Sequence, residues 1–123
     1  MTKIAIIEDD AVINQMYRMK FEAAGFEVAT ASDGETGVAM IERFKPELIL
    51  CDLQMPQMNG AEAVALIRKA SWGKSIPVII LTNLGEEEAP KELKNLDVAS
   101  YIVKADLTPS QVVARVKETL GLK

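Results

Sequence analysis

The sequence of 123 residues contains no histidine and only one cysteine, Cys51. The missing imidazole excludes a histidine-based catalytic triad, a histidine-ligated zinc ion and phosphohistidine within this chain. One thiol forms no internal disulfide, and it is too few for a structural zinc site. Cys51 ends a predicted buried strand, so we expect it to belong to the core rather than to a redox site.

A long hydrophobic run and an excess of positive charge are also missing. The N-terminal apolar stretch, Ile4–Ile7, is too short for a signal peptide or a membrane span, and acidic residues follow it directly. The 14 Lys and Arg residues against 18 Asp and Glu residues give a net charge of −4. This balance disfavours electrostatic binding to nucleic acid or to an anionic membrane. We therefore expect a soluble, cytoplasmic protein that binds neither nucleic acid nor membrane.

No low-complexity stretch or Ser/Gly-rich linker divides the chain. An apolar content of 49% is enough to bury a core in a chain of this length. We therefore expect a single domain over residues 1–123. Because the sequence stops soon after its last predicted helix, we also expect no additional output domain.

Short apolar runs alternate along the sequence with amphipathic segments. Four of the runs are unbroken, which is typical of strands buried on both faces of a parallel sheet, and the second alternates, which suits an edge strand. The five predicted strands are Ile4–Ile7, Phe26–Ala29, Leu48–Cys51, Val78–Leu81 and Tyr101–Val103.

Each predicted strand is followed by a predicted helix. In the first helix, Val12, Met16, Met19 and Ala23 share one apolar face. The fourth, over Glu86–Leu96, contains Pro90, which a helix tolerates only in its first turn. The alternation predicts an α/β fold: a doubly wound, flavodoxin-like, five-stranded parallel sheet of order 2-1-3-4-5 with five helices.

Carboxylates follow two strands that this topology makes neighbours. Glu8, Asp9 and Asp10 follow the first strand, and Asp52 follows the third. Ligands of such sheets bind beyond the carboxyl ends of these strands, at the switch point of the topology. Two carboxylates about 4 Å apart repel by about 4 kcal/mol at an effective dielectric constant near 20, so we expect a cation among them. Oxygen ligands favour Mg²⁺, and we expect Asp10 instead to cap the following helix.

Two further strands end in groups that suit a phosphoryl ligand. Thr82 ends the fourth strand with a hydroxyl, and Lys104 follows the fifth with an ammonium group. A phosphoryl group on Asp52 adds about −1.5 to −2 charge and three acceptor oxygens. A hydroxyl and a cation are the groups that bind such oxygens and stabilise their charge during transfer.

The sequence resembles the receiver domains of two-component response regulators over essentially its whole length. Residues 52–60, DLQMPQMNG, resemble the family's D-x-x-M-P-x-M-x-G loop. The acidic residues after the first strand, Leu81-Thr82 and Tyr101–Lys104 match the other family signatures in order and spacing.

The resemblance implies a role for each matching residue. Asp52 would be the phosphoacceptor, and Mg²⁺ would be held by Glu8, Asp9, Asp52 and the backbone carbonyl of Gln54. The phosphoryl-binding and switch residues would be Thr82, Lys104 and Tyr101.

The resemblance also implies partners. The phosphoryl donor would be a histidine kinase or a histidine phosphotransfer protein. An unidentified downstream protein would bind the face formed by the fourth predicted helix, Tyr101 on the fifth strand, and residues 112–120 of the fifth helix. The protein would then not be an enzyme, because its only chemistry would be its own phosphorylation and dephosphorylation.

The sequence departs from the family pattern at a few positions. Ala105 follows Lys104 where the family usually has proline, so we expect a trans peptide bond there. Asn83 follows Thr82 where a small residue is common in the family, and its larger side chain is expected to narrow access to the phosphoryl group. Gln54 and Leu84 occupy positions that tune dephosphorylation, and the apolar Leu84 predicts slow loss of the phosphate.

Three other functions are compatible with parts of the sequence. A Mg²⁺-dependent phosphatase would usually carry a second acid beside its nucleophile, but Leu53 and Gln54 follow Asp52. A flavin or nucleotide carrier would have a phosphate-binding loop after the first strand, where this sequence has acids. A receiver-like module that signals without phosphorylation is disfavoured by the complete acidic set, although Asn83 and Ala105 leave it open.

Overall fold

A five-stranded, all-parallel sheet forms the centre of the molecule in a computed structural model that describes residues 1–122. Lys123, the last residue of the predicted domain, lies outside the described residues. The strand order β2-β1-β3-β4-β5 confirms the predicted topology, including the edge position of the alternating strand. The strands are β1 (Lys3–Ile7), β2 (Glu27–Ala31), β3 (Leu48–Cys51), β4 (Val78–Thr82) and β5 (Ser100–Val103).

The strand register brings the ends of the central strands to one level. Ile7, the last residue of β1, pairs with Ala31 of β2 on one side and with Cys51 of β3 on the other. Cys51 in turn pairs with Ile80 of β4. The residues that follow β1 and β3 therefore emerge side by side at one edge of the sheet.

In the described part of the chain, residues 1–122, four α-helices cover the two faces of the sheet, where five were predicted: α1 (Ala11–Ala23), α2 (Gly34–Phe44), α3 (Gly60–Lys69) and α4 (Pro109–Thr119). Each begins after a polar residue whose side chain accepts a backbone N–H of the first turn. These N-cap residues are Asp10, Asp33, Asn59 and Thr108. The expectation that Asp10 caps the first helix is thus confirmed.

Two hydrophobic cores lie on opposite sides of the sheet because successive strand residues point to opposite faces. Ile4 and Ile6 of β1 pack on the side of α1 and α4, together with Phe21 and Val116. Ala5 and Ile7 pack on the other side with residues of α2 and α3. Helices on both faces confirm the doubly wound arrangement.

The prediction of a helix over Glu86–Leu96 is wrong. The segment forms two short 3-10 turns, Glu86–Glu88 and Lys91–Asn95, with Ala89 and Pro90 in extended conformation between them. Pro90 donates no backbone N–H, and its ring disfavours helical geometry at the preceding residue. These constraints divide the segment into two parts, and each part is too short to form an α-helix.

The apolar face identified on the first helix is turned to solvent. Val12 and Met19 are 78% and 59% exposed, whereas Tyr17 and Phe21 of the same helix are buried against the sheet. The buried face is the one that carries the aromatic side chains. Within residues 1–122, no helix is both long and apolar enough to cross a lipid bilayer.

Candidate functional site

Three carboxylates meet at the edge where β1 and β3 end. One oxygen each from Glu8, Asp9 and Asp52 can be chosen so that all three lie within 4.8 Å of one another. Glu8 and Asp52 are buried, and Asp9 is exposed. The structure therefore brings together the acidic residues that the topology predicted to be neighbours.

The backbone at this edge is held by the ends of the strand ladder. The Glu8 N–H donates to the Ala31 carbonyl over 3.0 Å, and the Asp52 N–H donates to the Ile7 carbonyl over 3.0 Å. The Asp10 N–H donates to the Glu8 carboxylate at 3.1 Å. The directions of Glu8 and Asp52 are thus set by the sheet itself.

Lys104 supplies the cation among the carboxylates. Its Nζ donates to Oδ2 of Asp52 at 3.0 Å and also contacts Oε1 of Glu8. All three side chains are largely withdrawn from water, which strengthens the ion pairs. Residues 1–122 contain no cis peptide bond, so the Lys104–Ala105 bond is trans, as expected.

Burial and charge shift the pKa values in this cluster. Burial raises the pKa of the Glu8 carboxyl, and the nearby charge of Asp52 raises it further. Hydrogen bonds from Lys104 and from the backbone N–H of Asp10 lower it, but the pKa stays above its usual value. Burial alone would lower the pKa of Lys104, but its hydrogen bonds with Glu8 and Asp52 outweigh this, and the pKa is raised. Lys104 is therefore a cation at neutral pH.

The loop after Asp52 requires glycine at position 60. A Cβ built on Gly60 would lie 2.1 Å from the Asp52 carbonyl oxygen, and the Gly60 N–H donates to the Leu53 carbonyl at 3.0 Å. The loop therefore folds back tightly on its own start. Gln54 donates its backbone N–H to Oδ1 of Asp52 at 3.1 Å, while its side chain is exposed.

The β4 side of the edge holds the predicted switch residues. Thr82 is fully buried at the end of β4, and its hydroxyl accepts the Leu84 N–H at 3.3 Å. The Tyr101 hydroxyl donates to the Leu84 carbonyl at 2.7 Å. Leu84 packs against the core on the side of α2 and α3, and Asn83 is exposed.

Cys51 is a core residue, as expected. Burial, with the nearby charge of Asp52, raises the pKa of its thiol to about 12. The thiolate that redox chemistry requires is therefore absent at neutral pH.

Asn14 is a residue of the site that sequence reasoning missed. Its side-chain amide donates to the Glu8 carbonyl at 3.0 Å and to the Ala31 carbonyl at 3.2 Å. An asparagine in an amphipathic helix looks like an ordinary surface residue, and only the packing of α1 against β1 and β2 brings it to these carbonyls.

The chain belongs to the family of response regulator receiver domains, whose family model matches residues 4–117. It is therefore a receiver domain of two-component signalling. The flavodoxin-like sheet and the edge position of the acids agree with this membership.

Two kinds of relatives support the assignment. The phosphate regulon transcriptional regulatory protein PhoB of Pseudomonas aeruginosa is 34% identical over 119 residues, which cover 95% of this chain and 51% of PhoB. This chain thus spans about half the length of that relative. The chemotaxis protein CheY4 of Vibrio cholerae has a similar structure, with a TM-score of 0.89, 29% identity and coverage of 97% of this chain and 98% of CheY4.

A third comparison concerns the fold alone. The receiver domain of a sensor histidine kinase from Pseudomonas aeruginosa is 22% identical, with a TM-score of 0.86 and coverage of 98% of each chain. That domain was crystallised with a magnesium ion coordinated in its active-site cleft.

Proposed function

We propose that this receiver domain, over residues 1–123, accepts a phosphoryl group on Asp52 in a Mg²⁺-dependent reaction and then changes a protein-binding face. The observation that carries the proposal is the cluster of charged side chains at the strand ends, which we call the pocket and which comprises Glu8, Asp9, Asp52 and Lys104. Asp52 is buried beside two further carboxylates and is 3.0 Å from the Lys104 ammonium group.

The donor set of the pocket fits a magnesium ion. Three carboxylate oxygens within 4.8 Å of one another offer hard oxygen ligands, and one lysine does not neutralise three carboxylates. We propose that Glu8, Asp9, Asp52 and the backbone carbonyl of Gln54 hold the ion. An ion held there would supply positive charge that screens the carboxylates and a Lewis acid for a phosphoryl oxygen. The kinase receiver domain, which shares this fold, has a magnesium ion coordinated in its active-site cleft, and this agrees with the proposal.

The transfer we propose uses Asp52 as the nucleophile. A carboxylate oxygen of Asp52 attacks the phosphorus of a phosphohistidine on a histidine kinase or histidine phosphotransfer protein. The P–O bond forms as the P–N bond breaks, and the electron pair of that bond stays with the donor's imidazole, which takes a proton from solvent. Lys104, whose ammonium group already donates to Asp52, would bind an oxygen of the transferred group.

The response to phosphorylation would pass through the loop after β4. The buried Thr82 hydroxyl contacts the Leu84 N–H, and the Leu84 carbonyl accepts the Tyr101 hydroxyl. A movement of Thr82 toward a phosphoryl group would therefore shift the loop and change the bond to Tyr101. The surface that changes would comprise residues 86–96, Tyr101 and residues 112–120, and a downstream protein would distinguish its two states.

We also propose that the aspartyl phosphate is lost slowly. Leu84 presents no polar group to an attacking water molecule and packs against the core, and the exposed Asn83 would narrow access beside Thr82 more than a small residue would. A phosphorylated lifetime of many minutes or longer is expected. A lifetime of seconds, measured by intact mass after removal of the donor, would contradict this.

The decisive experiment is incubation with Mg²⁺ and acetyl phosphate followed by intact-mass analysis. One phosphate adduct is expected, absent after chelation of Mg²⁺ and absent in Asp52→Asn. Asp106→Asn, which removes an exposed carboxylate on the β5–α4 connection, is the matched control and should retain the adduct. An adduct that persists in Asp52→Asn would overturn the assignment, and multiple turnover of a phosphate ester would favour a phosphatase instead.

A further inference from the structure

We propose that Asn14 is a positioning residue that orients the Glu8–Asp9 peptide and thereby sets the affinity of the pocket for Mg²⁺. The inference deepens the proposed function and rests on it. Asn14 lies on α1, outside the set of acids that would contact the ion.

The geometry of Asn14 singles out one peptide unit. Its Nδ2 donates to the Glu8 carbonyl at 3.0 Å and to the Ala31 carbonyl at 3.2 Å. The Ala31 carbonyl also accepts the Glu8 N–H at 3.0 Å. Glu8 is thus held at its N–H by β2 and at its carbonyl by Asn14, with Ala31 as the common partner.

The Glu8 carbonyl belongs to the planar peptide that joins Glu8 to Asp9. Because a peptide unit is rigid, a hydrogen bond that fixes its carbonyl fixes both flanking Cα atoms. Those two Cα atoms carry two of the three carboxylates of the pocket. Asn14 therefore acts on both acids at once, through the backbone, without contacting either carboxylate.

The start of α1 explains how Asn14 reaches the peptide. Its own N–H donates to the Asp10 carbonyl at 2.8 Å, so it sits in the first turn of the helix. Helical side chains lean toward the N-terminus of their helix, and this direction leads from Asn14 to Glu8. The Asp10 side chain holds the same turn by accepting the Ile13 N–H at 3.0 Å.

A purely structural role and a positioning role predict different results. Loss of a structural hydrogen bond lowers stability equally with and without Mg²⁺. Loss of a positioning bond also lowers the extra stability that Mg²⁺ confers, because that increment depends on the affinity of the native state for the ion. Outer-shell partners of metal ligands typically change affinity by about 10–100-fold.

The test uses Asn14→Ala with Gln15→Ala as the matched control, since Gln15 is an exposed amide on the same helix turn. Mg²⁺ binding is measured by amide chemical shifts in an NMR titration, and urea unfolding is measured with and without Mg²⁺. For Asn14→Ala we expect an increase in the dissociation constant of about tenfold, near the lower end of the outer-shell range, and a smaller Mg²⁺-induced shift of the unfolding midpoint. Gln15→Ala should match the wild type, and Asn14→Gln, which keeps the amide donor, should recover part of the affinity.

The outcomes separate this inference from the proposed function. If wild-type protein shows no Mg²⁺ binding, the proposed function fails. If the wild type binds Mg²⁺ and Asn14→Ala binds it equally well, the positioning role is overturned and the proposed function stands. Should Asn14→Ala fail to fold, Asn14→Leu, which removes the amide donor but keeps a side chain of similar volume, decides the question, and wild-type affinity for Mg²⁺ in that variant would also overturn the role.

Discussion

The two sides of the site edge are built very differently. On one side, the acids follow β1 and β3, and all four residues of β3 are buried. On the other side, residues 83–99 join β4 to β5 through two 3-10 turns, and Leu93 is the one residue among them that the structure buries. A dense sheet therefore holds the acids, whereas the 83–99 segment has one fully buried residue and four apolar residues that are only partly buried against the core, Leu84, Ala89, Leu96 and Val98.

A few hydrogen bonds hold the 83–99 segment in place. At its start, Leu84 accepts the Tyr101 hydroxyl at 2.7 Å. At its end, Arg68 of α3 donates to the Leu96 carbonyl at 2.8 Å and to the Asp97 carbonyl at 3.2 Å. Segments with few fully buried residues open at low free energy, so we expect this connection to open more readily than the strand ends that carry the acids.

The largest effect is expected from adding one methyl group on the rigid side. Gly60→Ala would place a Cβ 2.1 Å from the Asp52 carbonyl oxygen, and a backbone atom cannot yield without moving the loop. We expect a loss of more than about 4 kcal/mol in the free energy of unfolding, together with loss of Mg²⁺-dependent phosphorylation. Urea unfolding and intact-mass analysis measure the two effects.

Gly85→Ala is the matched change on the sparse side. Its Cβ would meet the end of the exposed Glu87 side chain at 2.9 Å, and that flexible group can move away. We expect a change within about 0.5 kcal/mol. Equal losses in the two alanine variants would remove the contrast between the two sides.

The second prediction concerns the anchor at Arg68. Its guanidinium donates to four backbone carbonyls, two in the 83–99 segment and two in the α3–β4 connection. A hydrogen bond from a charged donor contributes about 1.5–3 kcal/mol net, and the part-buried or exposed carbonyls left by Arg68→Met can bind water instead, so the variant should cost about 2–4 kcal/mol in total. Hydrogen exchange should rise first in residues 91–99.

Arg18→Met provides the comparison for Arg68. Arg18 forms an exposed i,i+4 pair with Glu22, and such pairs contribute at most about 1 kcal/mol. A loss in Arg18→Met as large as that in Arg68→Met would show that the carbonyl contacts do not anchor the segment.

The rigid side was predictable from sequence because its signals are local. Unbroken apolar runs mark buried strands, and a parallel topology then brings Glu8 and Asp52 to the same edge. Lys104 follows from the same argument, as the residue directly after β5. Since the register of a parallel sheet aligns the ends of its strands, the strand assignments were enough to predict that these residues lie together.

The buried face of α1 and the conformation of Glu86–Leu96 depend on tertiary packing and backbone constraints, which sequence periodicity does not encode. On α1, two apolar stripes one residue apart both fit a helix, and the larger aromatic side chains, Tyr17 and Phe21, are buried while Met16 and Met19 face solvent. The stripe with more apolar area to bury gains more from facing the sheet. For Glu86–Leu96, the apolar spacing suggested a helix, and the backbone constraint of Pro90 prevailed.

A smaller effect is expected from Tyr101→Phe, which removes only the hydroxyl bonded to Leu84. The lost hydrogen bond should cost about 1 kcal/mol in the unphosphorylated protein. Because the aromatic ring remains, we expect increased exchange in the loop after Thr82 and an unchanged rate of phosphorylation on Asp52. A phosphorylation rate clearly below that of the wild type would show that the two sides are not separable.

The smallest effect on stability, with the clearest structural readout, is expected from Pro90→Ala. The substitution restores a backbone N–H and frees Ala89 to adopt helical angles, so residues 86–95 can form one helix. Three glutamates, Glu86–Glu88, would then lie at the N-terminus of that helix, where negative charge is favourable. The greater freedom of the unfolded chain offsets this gain by about 0.4–1 kcal/mol, so net stability should change by less than about 1 kcal/mol.

Far-UV circular dichroism of Pro90→Ala should nevertheless show more helix, whereas Pro56→Ala, at an exposed proline in the β3–α3 connection, should show no increase. Unchanged helix content in Pro90→Ala would mean that sparse packing, and not the proline, keeps this side of the molecule irregular.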